Sequence, residues 1–115
     1  MDIKHLQQHL QAFADERNWN QYHTPKNLAM ALAGESGELV EIFQWLSPEE
    51  SSPEHLGPVN RLAVQDELAD IFIYLIRLVA LLEIDLEQAF WSKMKKNAEK
   101  YPAAKEMNRQ TGFNR

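Results

Sequence analysis

Two stretches of the chain each carry a pair of carboxylates three residues apart: Glu35-Ser36-Gly37-Glu38 and Glu67-Leu68-Ala69-Asp70. On a helix such a pair shares one face. At about 100° per residue, Glu35 falls inside an apolar stripe of Leu28, Leu32, Leu39, Ile42, Phe43 and Leu46. Glu38 lies at the edge of that stripe. Glu67 borders a second stripe (Val64, Leu68, Ile71, Phe72, Leu75, Leu78, Val79, Leu82), and Asp70, Tyr74 and Arg77 follow on its face. Burying an ionised carboxylate without a partner is costly, so acids at these positions need a reason. Like charges at this spacing also repel, so helix stability does not supply one. If the two helices pack side by side, four oxygen-donor side chains converge with no Cys and no His, a donor set suited to a hard cation. Mg²⁺ is the first candidate and Mn²⁺ the second. A ferritin-like di-iron site is rejected, because neither pair has His at i+3. The competing reading is a set of solvated surface acids or salt-bridge partners.

Further along, Lys93 and Asn97 sit in the apolar stripe of a later helix, with Leu86, Phe90, Met94 and Tyr101. Lys93 is suited either to pairing with a Glu or to binding phosphate oxygens, and an amide to a base or sugar edge. Trp19, Tyr22 and His23 crowd one short connector, and Trp45 stands off its helix's apolar stripe. Packing explains such aromatics one at a time; beside a metal cluster they also make a stacking slot for a nucleobase. Gly34-Glu35-Ser36-Gly37 is not a phosphate loop, since no strand precedes it and no Lys-Ser/Thr follows. Its glycines suit the close approach of a helix or ligand.

Four helices must position these groups. The periodicity predicts helices over about 2–17, from Thr24-Pro25 to about Leu46, over about 59–83, and from Asp85 to about Lys100, with no sheet. Asp2, Thr24 and Asp85 are the expected N-caps, with Pro25 at a first helical position and Asp85-Leu86-Glu87-Gln88 fitting a capping box. Between Ser47 and Pro58 lies a surface loop rich in Pro and Ser. Residues 103–115 form a polar, basic tail.

The 115 residues allow one domain, and 44% hydrophobic content suits a globular core. Zero Cys excludes disulfides, thiolate metal sites and thiol catalysis. A net charge of −5 argues against nucleic acid as a partner. The polar N-terminus shows no signal peptide, and the apolar run from Ile71 to Leu82 falls short of the ~20 residues of a membrane span. A cytoplasmic protein with no membrane partner is therefore expected. Helix faces used for both pocket and packing leave apolar surface to cover, so at least a dimer is expected.

The sequence resembles the MazG-like all-α nucleoside triphosphate pyrophosphohydrolases, nearest to their dCTP pyrophosphatase branch. The resemblance rests on Asn27-Leu28, on Ala31 through Leu39 with both Glu35 and Glu38, on Phe43-Gln44-Trp45, on Glu67 through Ile71 with Tyr74-Leu75, and on Ser92-Lys93-Met94, Asn97 and Lys100-Tyr101-Pro102. Arg17-Asn18-Trp19 and His23 through Asn27 add to it. It covers residues 1–102, the expected domain, and stops before the tail. It implies a four-helix, bundle-like MazG fold and a Mg²⁺-dependent hydrolase. The reaction would cut dCTP or a modified dCTP between the α and β phosphates, giving the monophosphate and pyrophosphate, as in nucleotide-pool cleaning. It further implies Glu35, Glu38, Glu67 and Asp70 as metal ligands; the chemistry then asks one Glu to accept the proton of the attacking water, and Glu38 is the choice, with a role as ligand alone the alternative. Trp19, His23, Trp45, Tyr74, Lys93 and Asn97 would bind substrate, in a homodimer or homotetramer (a dimer of dimers). The same chemistry on dUTP or a broad dNTP set is the first alternative. A non-catalytic helical interaction module is the second, with the carboxylates as intersubunit partners for Arg77, Lys93 and Lys100.

Overall fold

The computed structural model describes residues 1–103, so the expected tail lies outside the described residues but for Ala103. The order is α1 (Ile3–Glu16), α2 (Pro25–Phe43), α3 (Pro58–Leu81) and α4 (Leu86–Lys100). The all-α expectation holds: there is no strand among the described residues.

Helix starts follow local chemistry. Asp2, Thr24 and Asp85 each accept a hydrogen bond from the backbone N–H three residues on, at 3.1, 3.2 and 3.1 Å, which satisfies one of the orphan donors of each first turn. Pro25 and Pro58 occupy first-turn positions where no N–H is needed. Gly57, at φ +83°, makes the turn into α3 in a conformation that a side chain would resist. Helix ends depart more from expectation. α2 stops at Phe43 rather than Leu46, because Leu46 N–H bonds back only three residues, to Phe43 O, ahead of the Ser47-Pro48 break.

The chain forms two compact units, Met1–Glu83 and Ile84–Arg115. In the first, α3 packs against both α2 and α1. Its buried apolar side chains are Ala14 from α1, Leu28 from α2, and Ile76 and Val79 from α3. Burying an aliphatic side chain such as Leu28 or Ile76 contributes about 1.5–3 kcal/mol. In the second unit, Phe90 and Trp91 meet edge to face at 5.0 Å, and the Lys100 ammonium lies 5.4 Å from the Tyr101 ring centre. No described helix is long and apolar enough to cross a membrane.

One expectation needs correcting. A Cβ built at Gly34 or Gly37 meets nothing within 4 Å, so neither glycine serves a close helix approach among the described residues. Both then weaken α2 through backbone entropy. Gly34→Ala should accordingly raise stability by about 0.5–1 kcal/mol in urea unfolding. A loss instead would mean that a second molecule packs on that face.

Candidate active site

α2 and α3 bring Glu35, Glu38 and Glu67 together, with one carboxylate oxygen of each within 4.8 Å of the others. Glu35 and Glu67 are half-buried, and Glu38 is exposed. Glu35 Oε2 and Glu67 Oε2 are both shut off from solvent and meet no hydrogen-bond partner. Among the described residues no cation pairs with this charge: the single ion pair there is Arg17–Glu16, at 3.4 Å. The neighbouring Glu67 carboxylate, then Glu38, burial, and the charges of Glu38 and Asp70 push Glu35 up to about 7. Closeness to Glu35 acts to hold Glu67 down, but burial and the Glu38 and Asp70 carboxylates outweigh it, so Glu67 also lies above its ordinary value.

Beside this cluster is a cavity of about 270 Å³, lined by His9, Leu10, Phe13, Trp19, His23, Asp70, Ile73, Tyr74 and Arg77. Asp70 joins the two features, since it lines the cavity and its charge acts on Glu35 and Glu67. The wall from α1 and its connector is set by a C-terminal cap. Asn18 adopts φ +57°, and the Trp19 and Asn18 N–H groups bond back to Ala14 O and Asp15 O at 2.9 and 3.2 Å. This pair of bonds is the Schellman arrangement, and it turns the chain sharply at Trp19. Trp19 then meets Phe13 edge to face at 5.5 Å and His23 at 5.9 Å. The Asn27 amide donates to Tyr22 O at 2.9 Å, which ties the connector to α2.

Of the expected site residues, the structure thus gathers Glu35, Glu38 and Glu67 at one point and Trp19, His23, Asp70 and Tyr74 around one cavity. Trp45 is not in that wall; it is 86% exposed, on the turn after α2. Lys93 and Asn97 stand one turn apart on α4 in the second unit, Lys93 exposed and Asn97 half-buried. Sequence reasoning left His9, Leu10, Phe13, Ile73 and Arg77 out of the site. Leu10 and Phe13 show the helical spacing of core residues, while Arg77 interrupts the most apolar run of the chain and was the visible signal.

The model of the MazG-like family matches residues 32–114. This chain belongs to the MazG-like family. Other MazG-like and pyrophosphatase proteins are close to it in sequence. dCTP pyrophosphatase 1 of Mus musculus is 51% identical over 90 residues, covering 78% of this chain and 53% of that protein. The Homo sapiens dCTP pyrophosphatase 1 is 50% identical over 91 residues, covering 79% and 54%. The chain therefore spans about half the length of these relatives. A crystal structure of a pyrophosphatase from Archaeoglobus fulgidus superimposes with a TM-score of 0.79 at 42% identity, covering 87% of this chain and 92% of that one. The four helices are thus a MazG-like fold.

The acid cluster makes a prediction for the metal-free protein. A carboxyl raised from 4.5 to about 7 by folding favours the folded state while it is protonated. That stability is complete below about 4.5 and is withdrawn as pH rises to about 7. In EDTA the thermal midpoint should fall across this window, and Glu35→Gln should flatten the fall. An equal fall in the variant would show that Glu35 is not the group responsible.

Proposed function

We propose that the protein hydrolyses a deoxynucleoside triphosphate, with dCTP or a modified dCTP as substrate, to the monophosphate and pyrophosphate. The observation that carries this reading is the juxtaposition of unpartnered carboxylates with an aromatic-lined cavity, joined at Asp70. The choice of dCTP is supported by the relatives named dCTP pyrophosphatase 1.

The residues present fit a divalent ion. The donors are all oxygens, and two of them are buried without a partner, which is costly unless a cation or proton is held there. Glu35, Glu38, Glu67 and Asp70 would hold Mg²⁺, with Mn²⁺ as a substitute. When bound, the ion supplies positive charge to the triphosphate and acidifies water. Glu38, the exposed member of the cluster, is free to take the proton as a water oxygen attacks the α-phosphorus and the bond to the bridging oxygen of the β-phosphate breaks. Trp19 and Tyr74 offer ring faces to the base, and His23 a polar group beside them. Roles for Trp45 at the base, Lys93 at the leaving pyrophosphate and Asn97 at the base edge rest on the family resemblance. Met30, Val40, Val59 and Leu62 are between 61% and 80% exposed, which supports a homodimer or homotetramer.

A pyrophosphate-release screen across canonical and modified dNTPs with Mg²⁺ tests the reading and ranks dCTP against dUTP and the rest. Glu38→Gln and Asp70→Asn should each lower turnover at least about a hundredfold with helicity unchanged, within the range for general-base and charge-stabilising groups. Wild-type pyrophosphate release by either variant would remove these residues from the site. Binding is tested separately by thermal shift. Mg²⁺ with a non-hydrolysable dCTP analogue should raise the midpoint, by several degrees for ligand well above its Kd. A midpoint that ignores both would favour the interaction module.

A further inference from the structure

Arg77 is 4% exposed, the one charged side chain buried to this degree among the described residues. Its guanidinium meets three neutral acceptors rather than a carboxylate. Nε donates to His23 Nδ1 at 3.1 Å, Nη1 to Gln11 Oε1 at 2.5 Å and Nη2 to Asn20 Oδ1 at 2.8 Å. The amide nitrogens point the other way. Gln11 Nε2 and Asn20 Nδ2 donate to Asp15 Oδ1 at 2.8 and 2.6 Å, so the countercharge sits one amide removed from the arginine. Each of these bonds runs from an N–H to an acceptor, which fixes both amide orientations.

The same accounting fixes the imidazole. A guanidinium has five N–H donors and nothing that accepts. His23 Nδ1, facing Arg77 Nε, must therefore be the bare nitrogen, and the ring proton belongs on Nε2. A second proton is disfavoured: burial, then the Arg77 charge, hold His23 below its ordinary value. His23 and Arg77 both line the cavity, so Nε2 is the ring nitrogen left for a ligand.

We propose that Arg77 is a positioning residue that locks His23 as the neutral Nε2–H tautomer, so that the cavity offers a hydrogen-bond donor to a carbonyl oxygen or bare ring nitrogen of a nucleobase. This rests on the nucleotide reading above and adds a selection rule to it. The aromatic walls accept any flat ring; the locked donor favours rings with an acceptor edge and leaves a ring without one facing an unmet N–H. Lysine would not substitute, because a single ammonium lacks the planar fork that engages three acceptors at once.

The first measurement is nitrogen-correlated NMR of the four histidines, with His23 assigned by its loss in His23→Gln. At pH 7.5 the wild-type ring should show a bare Nδ1 and a protonated Nε2, while Arg77→Met and Arg77→Lys should show mixed tautomers, and Arg77→Met, which removes the charge, a higher titration midpoint. The second is calorimetric binding, with Mg²⁺, of deoxycytidine 5′-monophosphate against the same phosphate carrying a phenyl ring as its base. The wild type should prefer cytosine about tenfold, and Arg77→Met should shrink that preference to under about threefold. A wild-type His23 protonated on Nδ1, or on both nitrogens, overturns the lock, and this needs no variant to fold. A tenfold preference that survives in a folded Arg77→Met with a freely titrating ring overturns the selection role. A locked ring in a protein that binds neither nucleotide overturns the nucleotide reading, and the selection role with it, which separates the two failures.

Discussion

Repulsion among the carboxylates that face one another across α2 and α3 is the constraint that the first unit is built around. Glu35, Glu38 and Glu67 are brought within 4.8 Å, and among the described residues no cation pairs with them. Left to themselves, two helices carrying these faces would separate or rotate apart. They are held by what lies along the same helices: Leu28 on α2, Ile76 and Val79 on α3, and Ala14 brought in by α1. The apolar core thus supplies the free energy that keeps an unfavourable charge arrangement in place. A divalent cation or a shared proton would relieve it, and among the described residues no cation of the chain does.

The same logic explains why the two partnerless oxygens belong to the half-buried pair rather than to Glu38. Glu35 lies within the apolar stripe of α2, so its carboxylate is carried inward with Leu32 and Leu39, while Glu38 at the stripe's edge keeps contact with water. Two chemically identical side chains three residues apart are thereby given different environments. One is raised to about 7, and the other remains open to solvent.

What the sequence reveals, and what it hides, follows from the range of the interactions. The N-caps at Asp2, Thr24 and Asp85 are legible because each is settled within three residues, and the carboxylate faces because helical periodicity fixes them before any packing. The end of α2 is less legible: three-residue turn bonds end it at Phe43, a competition too fine for pattern reading. Leu68 fits the apolar stripe of α3 by spacing, yet it is 51% exposed, because α3 is apolar over more of its surface than its neighbours cover. The Arg77 network is hidden altogether, since its partners lie 54 to 66 residues away and only the packing of α1 and its connector against α3 brings them to it.

A net charge of −5 would suggest a protein that repels anions, but charge matters here by position along α3. Asp70, Tyr74 and Arg77 follow one another on one face, a carboxylate, an aromatic ring and a guanidinium, and all three line the cavity. Seven residues of helix separate the two charged ends, about 10 Å along the axis. That distance is close to the reach of a nucleoside from its base edge to its first phosphate. A ligand laid along α3 would place its phosphates against the carboxylates, where a cation reverses the local sign, and its base at the end where Arg77 sets the His23 ring. On the proposed nucleotide reading, the acidic cluster and the buried arginine, which look contradictory in composition, would serve opposite ends of one molecule.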